Sequence, residues 1–247
     1  MKPLLFSISL CISAMSFADC AGSGFFFWPE QVDVSKNPLF LITGYAMSQD
    51  VIHELTVSKK VYLVSPKDKV ELKLLQLEEG GYYLTQIGVY TERNLIPGET
   101  YHLKIDKMEG NSLTRYNEKK REYETVSWTV TDKKDTIAPV WVQRPLFDTT
   151  STTYFGCGPA RYAFFTAQVK DESPCLIRAT LKDLDKKSQT TFSFSMREGK
   201  IVVGHGMCSG EFSFGDSQFF EVSFDLIDAS GNMTVWTGDP IKFEAPE

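Results

Sequence analysis

Leu95-Ile96-Pro97-Gly98-Glu99-Thr100-Tyr101 is the stretch that decides the fold of this chain. A leucine, a turn-forming Pro-Gly pair and a tyrosine lead into Tyr101, Leu103 and Ile105, which alternate with polar residues as a half-buried strand does. A β-sandwich pins its corner loop in this way: the phenol ring packs inward and its hydroxyl bonds backbone a few residues upstream.

Outward from that corner, strand signals dominate and no long segment has helical periodicity. Strands are predicted at about Leu39–Tyr45, Glu54–Val57, Val61–Val64, Val70–Leu77, Tyr82–Tyr90, Tyr101–Ile105 and Thr125–Val130. Glu78-Glu79-Gly80-Gly81 reads as a hairpin whose glycines supply positive φ. Asn111–Glu124, with nearly balanced charges, reads as a solvated loop or a long hairpin end. After Lys133-Lys134-Asp135-Thr136-Ile137-Ala138-Pro139, where charge gives way to a proline, the pattern begins again. Strands are then predicted near Val140–Gln143, Tyr162–Val169, Leu176–Leu184, Thr190–Ser195, Ile201–Gly204, Phe219–Leu226 and Met233–Trp236, the spacing of a second sandwich. The expected fold is all-β, with a first sandwich over residues 19–134 and a second over 135–247, joined by a short, fairly stiff linker.

The chain's start sets the expected compartment. Lys2, an apolar stretch from Leu4 to Met15 and Ser16-Phe17-Ala18 have the form of a secretory signal peptide over residues 1–18, with cleavage before Asp19. Cys20 raises the alternative of a lipoprotein, against which Asp19 stands where a small residue is required. No stretch approaches the roughly 20 apolar residues of a membrane span. The 26 basic and 32 acidic residues give a net charge of −6 with no basic block, which disfavours nucleic acid and anionic membrane as partners. The expectation is export to the periplasm or cell surface.

Two local motifs carry a family resemblance. Leu95, Pro97, Gly98 and Tyr101 before a strand resemble bacterial Ig-like and fibronectin type III modules of secreted proteins. Asp135-Thr136-Ile137-Ala138-Pro139 and the turn Asp228-Ala229-Ser230-Gly231-Asn232 are similar to the start and final hairpin of bacterial surface Ig-like repeats. The resemblance implies an extracytoplasmic spacer, adhesion or enzyme-accessory module, with no catalytic residues to carry over. The cysteines of the second half and the aromatic run near the start depart from that pattern.

That run, Phe25-Phe26-Phe27-Trp28 before Pro29, is the candidate contact for a protein or glycan partner. The structural alternative is a first edge strand blunted by Pro29, with alternate rings in the core. Neighbouring side chains on a strand point to opposite faces, so part of the run needs a second contact. Cys20, Cys157, Cys175 and Cys208 remain after Cys11 leaves with the leader, and they suit disulfides in an oxidising compartment. Cys157 and Cys208 are expected at one end of the second sandwich, which favours their pairing and leaves Cys20 for Cys175. The former bridge closes a loop of about 50 residues, worth on the order of 4 kcal/mol in the chain-entropy model.

The enzymatic alternative is a small thiol enzyme or redox protein using Cys208 with His205, although H-x-x-C lacks an orienting carboxylate at a telling spacing. Asp225, Asp228 and Asn232 offer calcium oxygens only with help from Asp171 or Glu172; otherwise they form an Asx turn with Gly231 at positive φ. G-x-S-x-G, H-E-x-x-H and phosphate-binding glycine loops are absent from the sequence. The reading is a non-enzymatic binding or structural module that uses no cofactor.

Overall fold

The structure, a computed structural model, describes residues 22–108, 113–117 and 120–247. The leader, Cys20 and part of the 111–124 connection lie outside the described residues. In chain order the strands are β1 (Gly24–Trp28), β2 (Asp33–Val34), β3 (Leu39–Tyr45), β4 (Val61–Val64), β5 (Lys69–Glu71), β6 (Lys73–Glu79) and β7 (Leu84–Tyr90). There follow β8 (Thr100–Ile105), β9 (Thr114–Asn117), β10 (Glu122–Thr125), β11 (Ser127–Val130), β12 (Val140–Phe155) and β13 (Gly158–Lys170). The last are β14 (Cys175–Asp183), β15 (Ser188–Phe194), β16 (Lys200–His205), β17 (Phe219–Asp228), β18 (Met233–Thr234) and β19 (Ile241–Glu244). Among the described residues one α-helix, α1 (Gln49–Val57), stands between β3 and β4, entered through a 3-10 turn at Ala46–Ser48.

Two pairs of sheets each enclose an apolar cluster. In the first, β1-β3-β7-β6 faces β2-β11-β8-β4-β5 across a core holding Phe40, Trp128 and Tyr101, with Phe40 and Trp128 rings 4.4 Å apart. In the second, β12-β13-β16 faces β15-β14-β17-β18, with β19 also on β17, across a phenylalanine-rich core that includes Phe165, Phe224 and Phe243. Among the described residues no helix is long and apolar enough to cross a membrane.

The corner forms as its residues dictate. Tyr101 is fully buried, and its hydroxyl accepts from the Ile96 N–H at 3.3 Å while donating to Asp68 Oδ2 at 2.7 Å. The Gly98 N–H bonds Val130 O at 2.7 Å, tying the loop to β11.

Four expectations need correction. Glu54–Val57 is the end of α1 and not a strand: Ile52 and Leu55, three residues apart, point together into the first core. Gly80 and Gly81 do not take positive φ; Tyr83 does, at 57°. Gly81 is required instead by close approach, since a Cβ there would lie 2.4 Å from the Ser213 nitrogen. The strand begun at Val140 runs to Phe155, carried by the β-forming run Thr149–Thr153, with Pro145 tolerated because β12 is an edge. Finally, the halves share far more than a linker. Trp28, Leu39, Leu41, Leu176 and Ile227 form a third apolar cluster, and Tyr82 and Gly210 exchange backbone hydrogen bonds of 3.2 and 2.9 Å.

Candidate functional site

The aromatic run divides by the strand alternation of β1. Phe25 and Phe27 turn into the first core, and Trp28 joins the cluster between the halves. Phe26 remains 62% exposed. Of the four rings proposed as a partner contact, it is therefore the one left free to meet another molecule. The register sets it at the end of a row across the sheet: Phe26 opposite Thr43, Thr43 opposite Gln86, Gln86 opposite Glu78. This row lies on the face turned away from the first core, toward β15 and β14.

Above the row opens a cleft of about 590 Å³, bounded by Phe26, Trp28, Gln86, the Phe192–Ser195 stretch and the loop at Ser209–Glu211. Gln86 is 5% exposed and rigidly held. Its Nε2 donates to Thr43 Oγ1 at 2.9 Å and to Ser193 O at 3.1 Å. Those bonds fix which end of the amide is oxygen, and Oε1 has no hydrogen-bond partner. Oε1 is itself closed to solvent, and a buried acceptor without a donor costs about 1–3 kcal/mol. On the opposite wall, burial raises the carboxyl of Glu211, with the Arg197 guanidinium 4.0 Å away pulling in the other direction.

Beyond Gln86 the row ends in a buried ion pair. Glu78 Oε1 accepts from Arg178 Nε at 2.7 Å and from Gln76 Nε2 at 3.1 Å, and Oε2 accepts from Ser193 Oγ at 3.0 Å. Together with Gln86 to Ser193, these bonds fasten β15 across the outer face of the first sheet. Gln86, Thr43 and Glu211 are absent from the sequence reading. Their signal lay in β3 and β7, whose residues are buried on both faces, from Leu39 to Gly44 and from Leu84 to Val89.

The loop carrying His205 and Cys208 forms part of the cleft wall. The register places Arg161 opposite His205, so Cys157, just before β13, and Cys208, just after β16, fall at the same end of that sheet. His205 is 8% exposed, its Nδ1 lies 2.8 Å from Gly206 O and its ring rests 4.9 Å from that of Tyr82. Its orienting group is thus a carbonyl and not a carboxylate. Gly210 packs so closely on His205 that a Cβ would meet His205 Cα at 2.2 Å, which explains the glycine-rich sequence as a steric demand.

Cys175 carries a thiol, in contrast to its expected bridge to Cys20; its Sγ is 3.5 Å from Ser173 O. Burial, with Asp171, Asp228 and Asp135 nearby, pushes that thiol up to about 12.

The late turn is an Asx turn. Asp228 Oδ1 accepts from the Ser230 and Asn232 N–H groups at 2.8 and 2.9 Å, Oδ2 accepts from Asn232 Nδ2 at 2.8 Å, and Gly231 has φ 82°. Asp225 is engaged elsewhere, accepting from the Trp236 N–H at 2.8 Å. Oxygens of Asp135, Asp171 and Asp228 do converge within 4.8 Å of one another. Each carboxylate is already bound by local donors: Ile137 N–H and Ser173 Oγ on Asp135, Ser173 N–H on Asp171, and the turn itself on Asp228. The set is explained as loop construction.

No family model and no curated protein matches the chain. Among solved structures it is similar to a pullulanase from Anoxybacillus sp. LM18-11 at 9% identity and TM-score 0.26, over 86% of this chain and 24% of that one. It is similar to type I pullulanase from Bacillus subtilis in complex with maltose, at 9% identity and TM-score 0.27, over 91% and 25%. The N-terminal part of the bacterial S-layer protein SbsC matches at 12% identity and TM-score 0.22, over 92% and 44%. The chain spans about a quarter of the length of the two pullulanases.

Proposed function

We propose that the chain is an exported, non-enzymatic binding module. Its two tandem immunoglobulin-like or fibronectin type III-like sandwiches, residues 19–134 and 135–247, would hold a glycan in the cleft between them. The observation that carries this reading is the exposed Phe26 ring in one cleft with the polar side chains of Arg197 and Glu211. A sugar ring presents an apolar face to an aromatic and hydroxyls to polar side chains beside it, so both features are used at once. A raised Glu211 carboxyl adds a group that donates when protonated. Export rests on the leader-like start.

The test is a glycan array followed by titration calorimetry of the positive glycan. Phe26→Ala, an exposed change that leaves the cores intact, is expected to weaken binding about tenfold, equivalent to about 1.4 kcal/mol. An empty array, or a Phe26→Ala protein that binds as wild type does, would overturn the proposal. Intact mass from the native host checks export independently, with a chain beginning at Asp19 expected.

A further inference from the structure

Edge strands invite other chains, and proteins blunt them with charges, proline and bulges. β12 is an edge, and its two halves treat that liability differently. From Val140 to Asp148 it contains Arg144, Pro145 and Asp148, and its register on β13 slips three times, at Trp141/Gln143, Gln143/Leu146 and Phe147/Thr149. From Thr149 to Phe155 there is no charge, no proline and no glycine. Its pairing there is unbroken, from Thr149 opposite Phe164 to Phe155 opposite Gly158. The third strand, β16, pairs β13 only from Arg161 to Thr166, so the hairpin runs on past its neighbour. Tyr154 is 77% exposed. Of the other long uncharged edges among the described residues, β1 faces the β9–β10 hairpin across a groove that the hairpin helps to line, and β15 packs against β6 of the first sheet.

We infer that the Thr149–Phe155 edge is a self-association surface, and that its occupant is the same edge of a second copy of this chain, added antiparallel about a two-fold axis at Thr152. The sequence is suited to itself. Centred on Thr152, the pairing sets Thr149 against Phe155, Thr150 against Tyr154 and Ser151 against Thr153, with Thr152 against its own mate. Aromatic against β-branched and threonine against threonine are favourable cross-strand pairs. Asp148, the nearest charge on this strand, falls opposite Gly156, so no like charges meet. Two copies joined in this way form one continuous six-stranded sheet, with the edge removed. A seven-residue strand pair is small beside the roughly 1,200 Å² of a stable interface, so the dimer is concentration-dependent.

Sedimentation equilibrium on the mature chain, from about 5 μM to about 1 mM, is the test, read alongside hydrogen exchange of residues 148–156. A monomer–dimer equilibrium is expected, with protection of that segment rising with concentration. Thr152→Lys sets two ammonium groups against each other and is expected to weaken the dimer at least about tenfold. Gln189→Lys, on the exposed start of β15, is expected to leave it unchanged. Circular dichroism confirms that both variants are folded. A wild-type chain that stays monomeric throughout, a dimer indifferent to Thr152→Lys, or protection appearing elsewhere overturns the inference.

Discussion

Arg178→Met probes the contact that fixes the cleft. The Glu78 side chain is 3% exposed, and Arg178 is the only cation in contact with it among the described residues. Methionine has a similar volume and unbranched shape, so the substitution removes charge more than packing. Breaking a buried pair from one side typically costs about 3–5 kcal/mol, because the remaining charge is stranded. Here Gln76 and Ser193 still donate to the carboxylate, and Arg178 is 26% exposed, so the lower end, about 3 kcal/mol, is expected. The companion change Glu78→Gln removes the buried stranded charge, leaving only the longer 3.5 Å contact of Arg178 with the more exposed Asp225 unanswered, and the double variant should recover more than half of the loss. Urea unfolding followed by tryptophan fluorescence gives the midpoints, with Trp128 and Trp236 reporting from the two cores. A single variant that loses under about 1 kcal/mol would refute the reasoning, as would a double variant no more stable than Arg178→Met alone. In either case the pair would be an incidental contact.

Three further outcomes follow from the geometry. Tyr101→Phe leaves the Ile96 N–H and Asp68 Oδ2 each short of a partner and should lower stability by about 2 kcal/mol by urea titration. The Arg93 guanidinium foremost, with Tyr101 assisting against burial, holds the Asp68 carboxyl below its ordinary range. Its stabilisation is present above the unfolded carboxylate value and is lost as pH falls through the folded one, so Tyr101→Phe should also flatten the acid limb of stability. The Cys175 thiol, at about 12, should alkylate at pH 8 at least about 100-fold more slowly than a cysteine in an unfolded peptide, read by peptide mass spectrometry; equal rates would sink that placement. Burial raises the Glu211 carboxyl, so its contribution is most favourable below the unfolded value and declines as pH rises through the folded one. Glu211→Gln should therefore gain thermal stability relative to wild type between pH 4 and 8, and a pH-independent difference would contradict it.

How much of this was legible depends on the range of the interaction. The corner at Leu95–Tyr101 and the Asp228 turn were readable because each is local: the groups that bond lie within a few residues, or the motif names them. The strand alternations of β8 and β17 were readable because one face of each meets water or polar neighbours. α1 was missed because nine residues give barely two turns, and Ile52 and Leu55 alone cannot separate a period of 3.6 from a short strand. Gly81 and Gly210 were visible as glycines but not as contacts, since what demands them is backbone far away in sequence. The same holds for Gln86, whose partner Ser193 lies 107 residues on.

That long-range contact did leave one trace in the sequence. Leu39-Phe40-Leu41-Ile42 is apolar at every position, whereas a sandwich strand with one wet face should alternate. A strand buried on both sides requires a second layer over its outer face, and the sheet of β14 and β17 supplies it. Phe40 and Ile42 enter the first core while Leu39 and Leu41 meet Leu176 and Ile227. The halves are therefore held by a face and not by their linker alone. Holding them so fixes Thr43 and Gln86, which continue the outward positions of β3 and β7, beneath β15 rather than in water. The cleft beside Phe26 is a geometric consequence of that face-to-edge contact. Loosening the contact would release the Gln86 amide from Ser193 and open the wall of the cleft.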